Sequence, residues 1–501
     1  MKFLHQIPFL RLAVFFIAGI ILQAQADCPP TFYIGMFVVA ALLCICAFLP
    51  AFKQNYDYRF LFGVGLALGM TASAAYLTKQ AYAQADWNLE PTPNSYHGQI
   101  IEEPVHRPKT YLCKLQLQNK KVILYLPIDS CSASLVAGDH LKFTATLEAT
   151  AEGYQRNHAV AAIGFVRAGH WQKDSLASQR FSLPLKALSV RRVLLVCLRT
   201  IVPDTQACAI ASALMFGYRN DLDNNLVASF RNIGAAHILA ISGTHFAIVF
   251  GMLYALLSFW GNSRRGRLVR QLMLLPLVWG FAFLTGFSPS VVRAATMLSI
   301  WGIGDMSGHR GFTLNTVAIS AFFMLLFNPL YLFDVGFQLS YVAVLSILLI
   351  YPHLSVWYRS KNLIIRYLWD LSCVSIAAQI GVLPLSVYYF NQFPRYFLLT
   401  NLCLLPLTSA LLFFIPLSLL LHAVFGNIAW LMFPLRFLLR LFLYITQSIN
   451  QLPFTTIDNL FPDVRDVILM FISIALIILF MVKKRAVYLV FLAIVILLGF
   501  L

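Results

Sequence analysis

Of 501 residues, 59% are hydrophobic and 11% charged, where a soluble globular chain has roughly 45–50% and about 25%. With a mean hydropathy of +0.75, the chain carries more apolar surface than one soluble globule can hide. Disordered, collagen-like, coiled-coil and soluble globular architectures are thereby excluded, leaving a polytopic α-helical membrane protein that still bears a net charge of +17.

Taken in chain order, residues 1–80 are predicted to form N-terminal transmembrane helices at 8–25, 32–50 and 60–78, each near the roughly 20 residues that a bilayer requires. Met1–Ala26 also has the Lys2, apolar stretch and Ala24-Gln25-Ala26 of a signal peptide; a first membrane helix is the preferred reading. Residues 81–183 hold the one long polar region, predicted as an extracytoplasmic domain with strands at Tyr96–Glu102, Thr110–Gln118, Lys121–Pro127, Leu141–Glu148 and Ala161–Trp171. The second of these alternates, with Tyr111, Cys113, Leu115 and Leu117 on one face, as a half-buried strand does. Short strands of this number and spacing fit a small β-barrel of the OB type. Cys113 and Cys131 lie in this domain, and an oxidising compartment leaves two alternatives open, a disulfide or two unpaired thiols.

Residues 184–501 are predicted as a channel domain with spans at 238–259, 271–287, 290–305, 312–328, 334–351, 367–390, 396–421, 427–449, 466–482 and 486–501. Before them, Leu185–Val202 has Arg191, Arg192 and Arg199 among Leu, Val and Ile, the pattern of an amphipathic helix lying in the membrane interface. Ala207–Gly217 is apolar but too short to span. Arg219, Asp221, Asp223 and Arg231 then lead to a Ser242-Gly243 break flanked by His237 and His245. A short apolar piece, a charged turn and a broken helix predict a re-entrant or discontinuous segment, which survives at membrane depth only when buried in protein or facing water.

For His237, Ser242 and His245 three readings stand side by side. A zinc pair lacks further ligands at a usual spacing. A nucleophilic Ser242 with a histidine base lacks the elbow pattern and a triad order. A polar lining, whose imidazoles hydrogen-bond a substrate or a neighbouring helix, is preferred over histidines that merely pack. Arg293 stands one turn after Ser288-Pro289-Ser290, and Asp334 and Gln338 are expected to share a helix face. Arg293 and Asp334 are candidate partners for each other, functional or purely structural.

The charge is unevenly spread. Lys79–Lys186 holds 12 Lys/Arg and 9 Asp/Glu, and the rest of the chain 25 and 11. Lys2/Arg11, Lys53/Arg59, Arg264/Arg265/Arg267/Arg270, Arg310, Arg359/Lys361/Arg366 and Lys483/Lys484/Arg485 mark one side, and the loops between them have almost no basic residues. The positive-inside rule makes the first side cytoplasmic, with the N-terminus inside and the polar domain outside. Arg219, Arg231, Arg293, Arg436 and Arg440 fall within or beside apolar segments and remain to be explained.

Three of these stretches, Ala236–His245, Leu284–Ala294 and Phe333–Ser340, closely resemble the competence domain of the ComEC family, and so does the layout of a few helices, an outside OB-like domain and further helices. The resemblance implies an inner-membrane channel passing single-stranded DNA from periplasm to cytosol in natural transformation. His237, Ser242, Gly243, His245, Arg293, Asp334 and Gln338 are then candidates for the DNA path or for the fold, with Arg219 and Arg231 added from their position. Many family members end in a metallo-β-lactamase-like domain. This sequence has no His-x-His-x-Asp-His pattern, so nuclease activity is not carried over and a separate nuclease is expected.

A membrane potential negative inside opposes each phosphate by roughly 2.3 kcal/mol per 100 mV. The sequence contains no Gly-x-x-x-x-Gly-Lys-[Ser/Thr] loop. A periplasmic DNA receptor and a cytosolic motor or single-strand-binding protein are therefore expected as partners. No metal, cofactor or catalytic residue is expected; the alternative is a membrane-embedded hydrolase centred on Ser242, His237 and His245.

Overall fold

The computed structural model describes residues 7–49, 60–87, 89, 92–149, 159–174, 183–261, 263–306, 313–426 and 428–500. Lys2, Lys53, Arg59 and Arg310, assigned above to cytoplasmic loops, lie outside these residues.

Helices α1 (Pro8–Ala26), α2 (Pro30–Phe48) and α3 (Phe60–Ala85) come first. Strands β1 (Asn94–Ile100), β2 (Val105–His106), β3 (Thr110–Leu117) and β4 (Lys120–Pro127) follow, then α4 (Ser130–Ala133), β5 (His140–Ala145), β6 (Leu147–Ala149), β7 (Val160–Phe165) and β8 (Trp171–Asp174). Next come α5 (Leu183–Ile201), α6 (Thr205–Phe216), α7 (Asn224–Asn232), the single turn α8 (Ala236–Leu239), and α9 (Gly243–Leu256), which tightens into a 3-10 turn at Leu257–Trp260. After α10 (Arg264–Leu284), α11 (Pro289–Met306) and α12 (Leu314–Phe327), a 3-10 turn at Pro329–Phe333 leads to α13 (Val335–Leu354) and α14 (Leu363–Phe390). A hairpin of β9 (Gln392–Pro394) and β10 (Thr456–Asp458) encloses α15 (Phe397–Phe425) and α16 (Ala429–Asn450), and α17 (Val464–Lys483) and α18 (Val487–Phe500) end the chain. Among the described residues ten helices are long and apolar enough to cross a membrane: α1, α2, α3, α9 with its 3-10 turn, α10, and α13 through α17.

Two compact units emerge, one of Met1–Leu188 with Leu314–Asp334, the other of Ser189–Thr313 with Val335–Leu501. In the first, α1 and α2 pack on α3, and α12 packs on α1, where Phe322 meets Phe16 edge-on at 5.3 Å between centroids. The strands form one sheet ordered β6-β7-β4-β3-β1-β5-β8, with β2 paired to β3. All pairs are antiparallel except β4 with β7. The alternation expected in β3 holds: Cys113, Leu115 and Leu117 are buried with Val122, Leu124 and Leu126 of β4 and with Leu141 and Phe143 of β5. The single strand expected at Ala161–Trp171 is two, because the chain turns at Gly169, which takes a left-handed φ of +80°.

The two cysteines of this domain are free thiols. Cys113 points into the core and burial pushes its thiol up to about 12, while Cys131 is exposed on α4. The unpaired alternative describes them, since one side chain faces inward and the other outward.

In the second unit, α5 is a helix as expected, but its faces do not divide into apolar and polar: Leu195, Leu198 and Ile201 are buried together with Arg191, and Val190, Val193 and Val196 are exposed. α6 is buried along Ala207–Phe216. A core joins α5, α6, α7, α9, α10, α11, α15 and α16. The span expected at 238–259 is not one helix, because the chain is extended between α8 and α9 at Ala240 and Ser242.

Candidate functional site

The break between α8 and α9 is built by local chemistry. Gly234, at φ +78°, turns the chain after α7. An added Cβ there would lie 2.8 Å from Pro394 Cγ, so the position tolerates only glycine on both conformational and steric grounds. His237 Nδ1 lies 3.1 Å from the Gly234 carbonyl, which can only accept, so the ring donates and is held as a local cap.

Ser242 stands at the N-cap of α9 in extended conformation, a position that serine favours. Its Oγ is 2.8 Å from His245 Nδ1, its N–H points at the same nitrogen at 3.4 Å, and its Oγ also bonds Thr244 Oγ1. A nitrogen that accepts from a backbone N–H is unprotonated, so the His245 proton is assigned to Nε2. That atom is buried without a partner among the described residues, and the whole ring is buried. Gly243, the first residue of α9, faces open space.

A second motif closes on the first. Ser290 Oγ, on the first turn of α11, donates to the Ile241 carbonyl at 2.7 Å, satisfying a backbone acceptor that the helix break releases. Ser288 Oγ is 3.5 Å from Ser290 Oγ. Arg293, one turn along α11, is buried. Thus Ser242, Gly243, His245, Ser290 and Arg293 stand on two segments tied at the break. His237, an exposed residue, lies on the turn before it.

The third motif is arranged differently from the sequence expectation. Asp334 is not in a helix: it closes the preceding 3-10 turn, its N–H donating to Tyr331 O at 3.0 Å, and α13 begins at Val335. The shared helix face of Asp334 and Gln338 therefore does not form. Gln338 Oε1 instead accepts from the Tyr389 hydroxyl of α14 at 2.8 Å. Arg219 and Arg231 are exposed. Between them Asp221 pairs with Arg199 of α5 at 2.8 Å, so the charged turn is fastened to the amphipathic helix.

One group escapes sequence reasoning. Arg270, counted above as a loop cation, is on the second turn of α10 and almost fully buried. Its guanidinium lies 4.1 Å from the Tyr254 ring centroid, and a terminal nitrogen is 3.7 Å from Asp305 Oδ2 at the end of α11. Gln271 Nε2 donates to the same carboxylate oxygen at 3.0 Å, and Arg267 Nε to the Asp305 carbonyl at 3.2 Å. Gly302 leaves the space for Gln271: an added Cβ would lie 2.7 Å from Gln271 Oε1. The spacing of Gly302 and Asp305, one turn apart on one helix face, is the only trace of the group in the sequence.

Comparison with known proteins bears on residues 214–485, which match the family model described as Competence protein. ComE operon protein 3 of Bacillus subtilis is 31% identical over 241 residues, 47% of this chain and 30% of that protein. An uncharacterized protein of Aquifex aeolicus is 30% identical over 258 residues, 51% of this chain and 56% of its own length. Recombination protein 2 of Haemophilus influenzae is 29% identical over 227 residues, 43% of this chain and 28% of that protein. The matched stretches thus span from 28% to 56% of these relatives' lengths. No solved structure matches.

Proposed function

The chain belongs to the Competence protein family, and from that premise we propose that it conducts single-stranded DNA from the periplasm to the cytosol across the bacterial inner membrane during DNA uptake. The observation that carries the proposal is the helix break at Ala240–Ser242, where Ser242, Thr244, His245 and Ser290 gather polar atoms among long apolar helices. Non-helical backbone and hydroxyls are stable at membrane depth only against protein or water, and a strand of phosphates needs a wet path of weak contacts. The sheet domain, placed outside, has a topology that supports an OB-type barrel. β5 and β6 follow one another across Thr146, β5 pairing with β1 and β6 with β7, which supports that reading. We assign it to receiving or guiding the strand.

In this reading a periplasmic receptor delivers DNA, a cytosolic motor or single-strand-binding protein draws it in, and a separate nuclease removes the second strand. The test is cytosolic import of labelled DNA by a deletion strain complemented with this chain at matched protein level. His245→Ala, Arg293→Ala and Asp334→Ala should each lower import by an order of magnitude or more; full import in all three would remove these residues from the path.

A second reading, a membrane-embedded hydrolase, draws on the contact of Ser242 Oγ with His245 Nδ1. A dyad of that kind needs a third group to orient the ring, and His245 Nε2 meets none among the described residues. The N-cap explains the same contact. Ser242→Ala separates the two: a hydrolase loses its activity, whereas a channel keeps most of its import and loses only helix-cap stability, about 1 kcal/mol.

A further inference from the structure

Resting on that channel reading, we propose that the outward face of α16 is a track for the strand, contacting bases through rings and a phosphate through Arg440. Trp430, Phe433, Phe437, Arg440 and Tyr444 recur at steps of three and four residues and so form one stripe, and all five are exposed. The opposite face, with Met432, Leu435, Leu439 and Phe442, is fully buried in the core of the second unit. Folding thus uses one side of the helix and leaves the ring-bearing side open.

The identity of the occupant follows from Arg440. It sits midway along α16, about 15 Å from either end at the helical rise of about 1.5 Å per residue, too far for its stem to reach a headgroup layer from the centre of a span. It has no ion pair or hydrogen bond among the described residues, unlike Arg436, whose Nε donates to the Ile201 carbonyl at 2.8 Å. A lone guanidinium facing acyl chains at mid-membrane is unfavourable, so lipid does not suit this face. What suits it is a ligand that is both anionic and rich in flat apolar groups. A single nucleic-acid strand has that chemistry, because bases stack on aromatic rings without regard to sequence and phosphates accept from arginine. The Phe433 and Phe437 rings lie one turn apart, 6.1 Å between centroids and 23° between planes, so successive turns offer successive rings. Just past the helix the motif repeats, with the Arg395 guanidinium 5.7 Å from the ring centroid of Phe454, both exposed.

The experiment places the photo-crosslinking residue p-benzoylphenylalanine at Phe437, and separately at Tyr444, in the full chain, in cells importing end-labelled donor DNA. Crosslinks to the labelled strand during import, lost when a large excess of unlabelled DNA competes, support the track. Crosslinks only to lipid, or to a second copy of the chain, while import proceeds overturn the track and leave the channel reading intact. Absence of import through the unsubstituted chain overturns both. Side-chain exchange gives an independent measure. Leucine suits a lipid-facing position as well as phenylalanine does, so Phe433→Leu with Phe437→Leu and Arg440→Leu should be harmless or stabilising on a lipid face. On a track, each should lower import by about tenfold at unchanged protein level, with Phe437→Trp and Arg440→Lys keeping most of it. Unchanged import in the leucine variants refutes the proposal.

Discussion

Arg270 and Asp305 are both almost fully buried, and neither charge is stable there without the other. Removing one partner of such a pair leaves an uncompensated charge, a loss of about 3–5 kcal/mol, whereas replacing both with apolar groups of similar size is often close to neutral. Asp305→Ala should therefore lower the thermal midpoint of the detergent-solubilised protein and its level in the membrane. Arg270→Met combined with Asp305→Leu should recover much of the loss. A melting curve for Asp305→Ala that overlays the unsubstituted protein would show that the pair does not hold α10 to α11. Sequence reading put Arg270 with the loop cations because Arg264, Arg265, Arg267 and Arg270 form one basic run. The first three positions of that run and the fourth differ only in how far each lies inside the helix. Ser242 and His245 differ again: their spacing of three residues is local, yet sequence reading takes them for a polar lining, and only the structure shows the two side chains meeting at the N-terminus of α9.

Among the elements, the one most exposed to single changes is the turn from α7 into α8. Gly234 there combines a left-handed φ with the close approach of Pro394. Gly234→Ala adds a left-handed penalty of roughly 1–2 kcal/mol and pushes β9 away from the break. It should reduce import, and an apparent-stability assay should fall by at least the backbone penalty. If Gly234→Ala leaves both unchanged, the turn is not what sets the position of the break. Elements of this kind mark where reading the sequence stops. Ten of the expected spans were legible because a helix that crosses a bilayer must be apolar for its whole length, whereas those at 290–305, 312–328 and 486–501 fall on α11, α12 and α18, which are not among the ten described helices long and apolar enough to cross. β3 was legible because one face is core and the other is solvent. The break in 238–259 was legible as a Ser-Gly interruption, but its closure by Ser290 depends on a contact 49 residues away in sequence. Asp334 was assigned one helical turn with Gln338 because spacing alone cannot distinguish the residue before a helix from the first residue within it.

For the molecule as a whole, the net charge of +17 divides into parts with different work to do. By the positive-inside rule the loop arginines are expected to orient the helices, Arg270 pairs with Asp305, Arg199 with Asp221, and Arg436 donates to the last carbonyl of α5. Among the described residues a few cations, Arg440 foremost, face outward from the apolar segments. That remainder can soften the desolvation of a polyanion but cannot drive it against the membrane potential, which resists each phosphate by roughly 2.3 kcal/mol per 100 mV. On the channel proposal the pull then comes from inside, and the electrical potential is a load upon it. Collapsing the electrical component alone, with potassium and valinomycin in short pulses during which ATP is held constant, should leave the import rate unchanged or raise it, measured as labelled strand reaching the cytosol per unit time. An import rate that falls with the potential while ATP stays constant would mean that the potential contributes to the drive. The strand would then have to cross with its charge compensated by co-moving cations, not by fixed arginines.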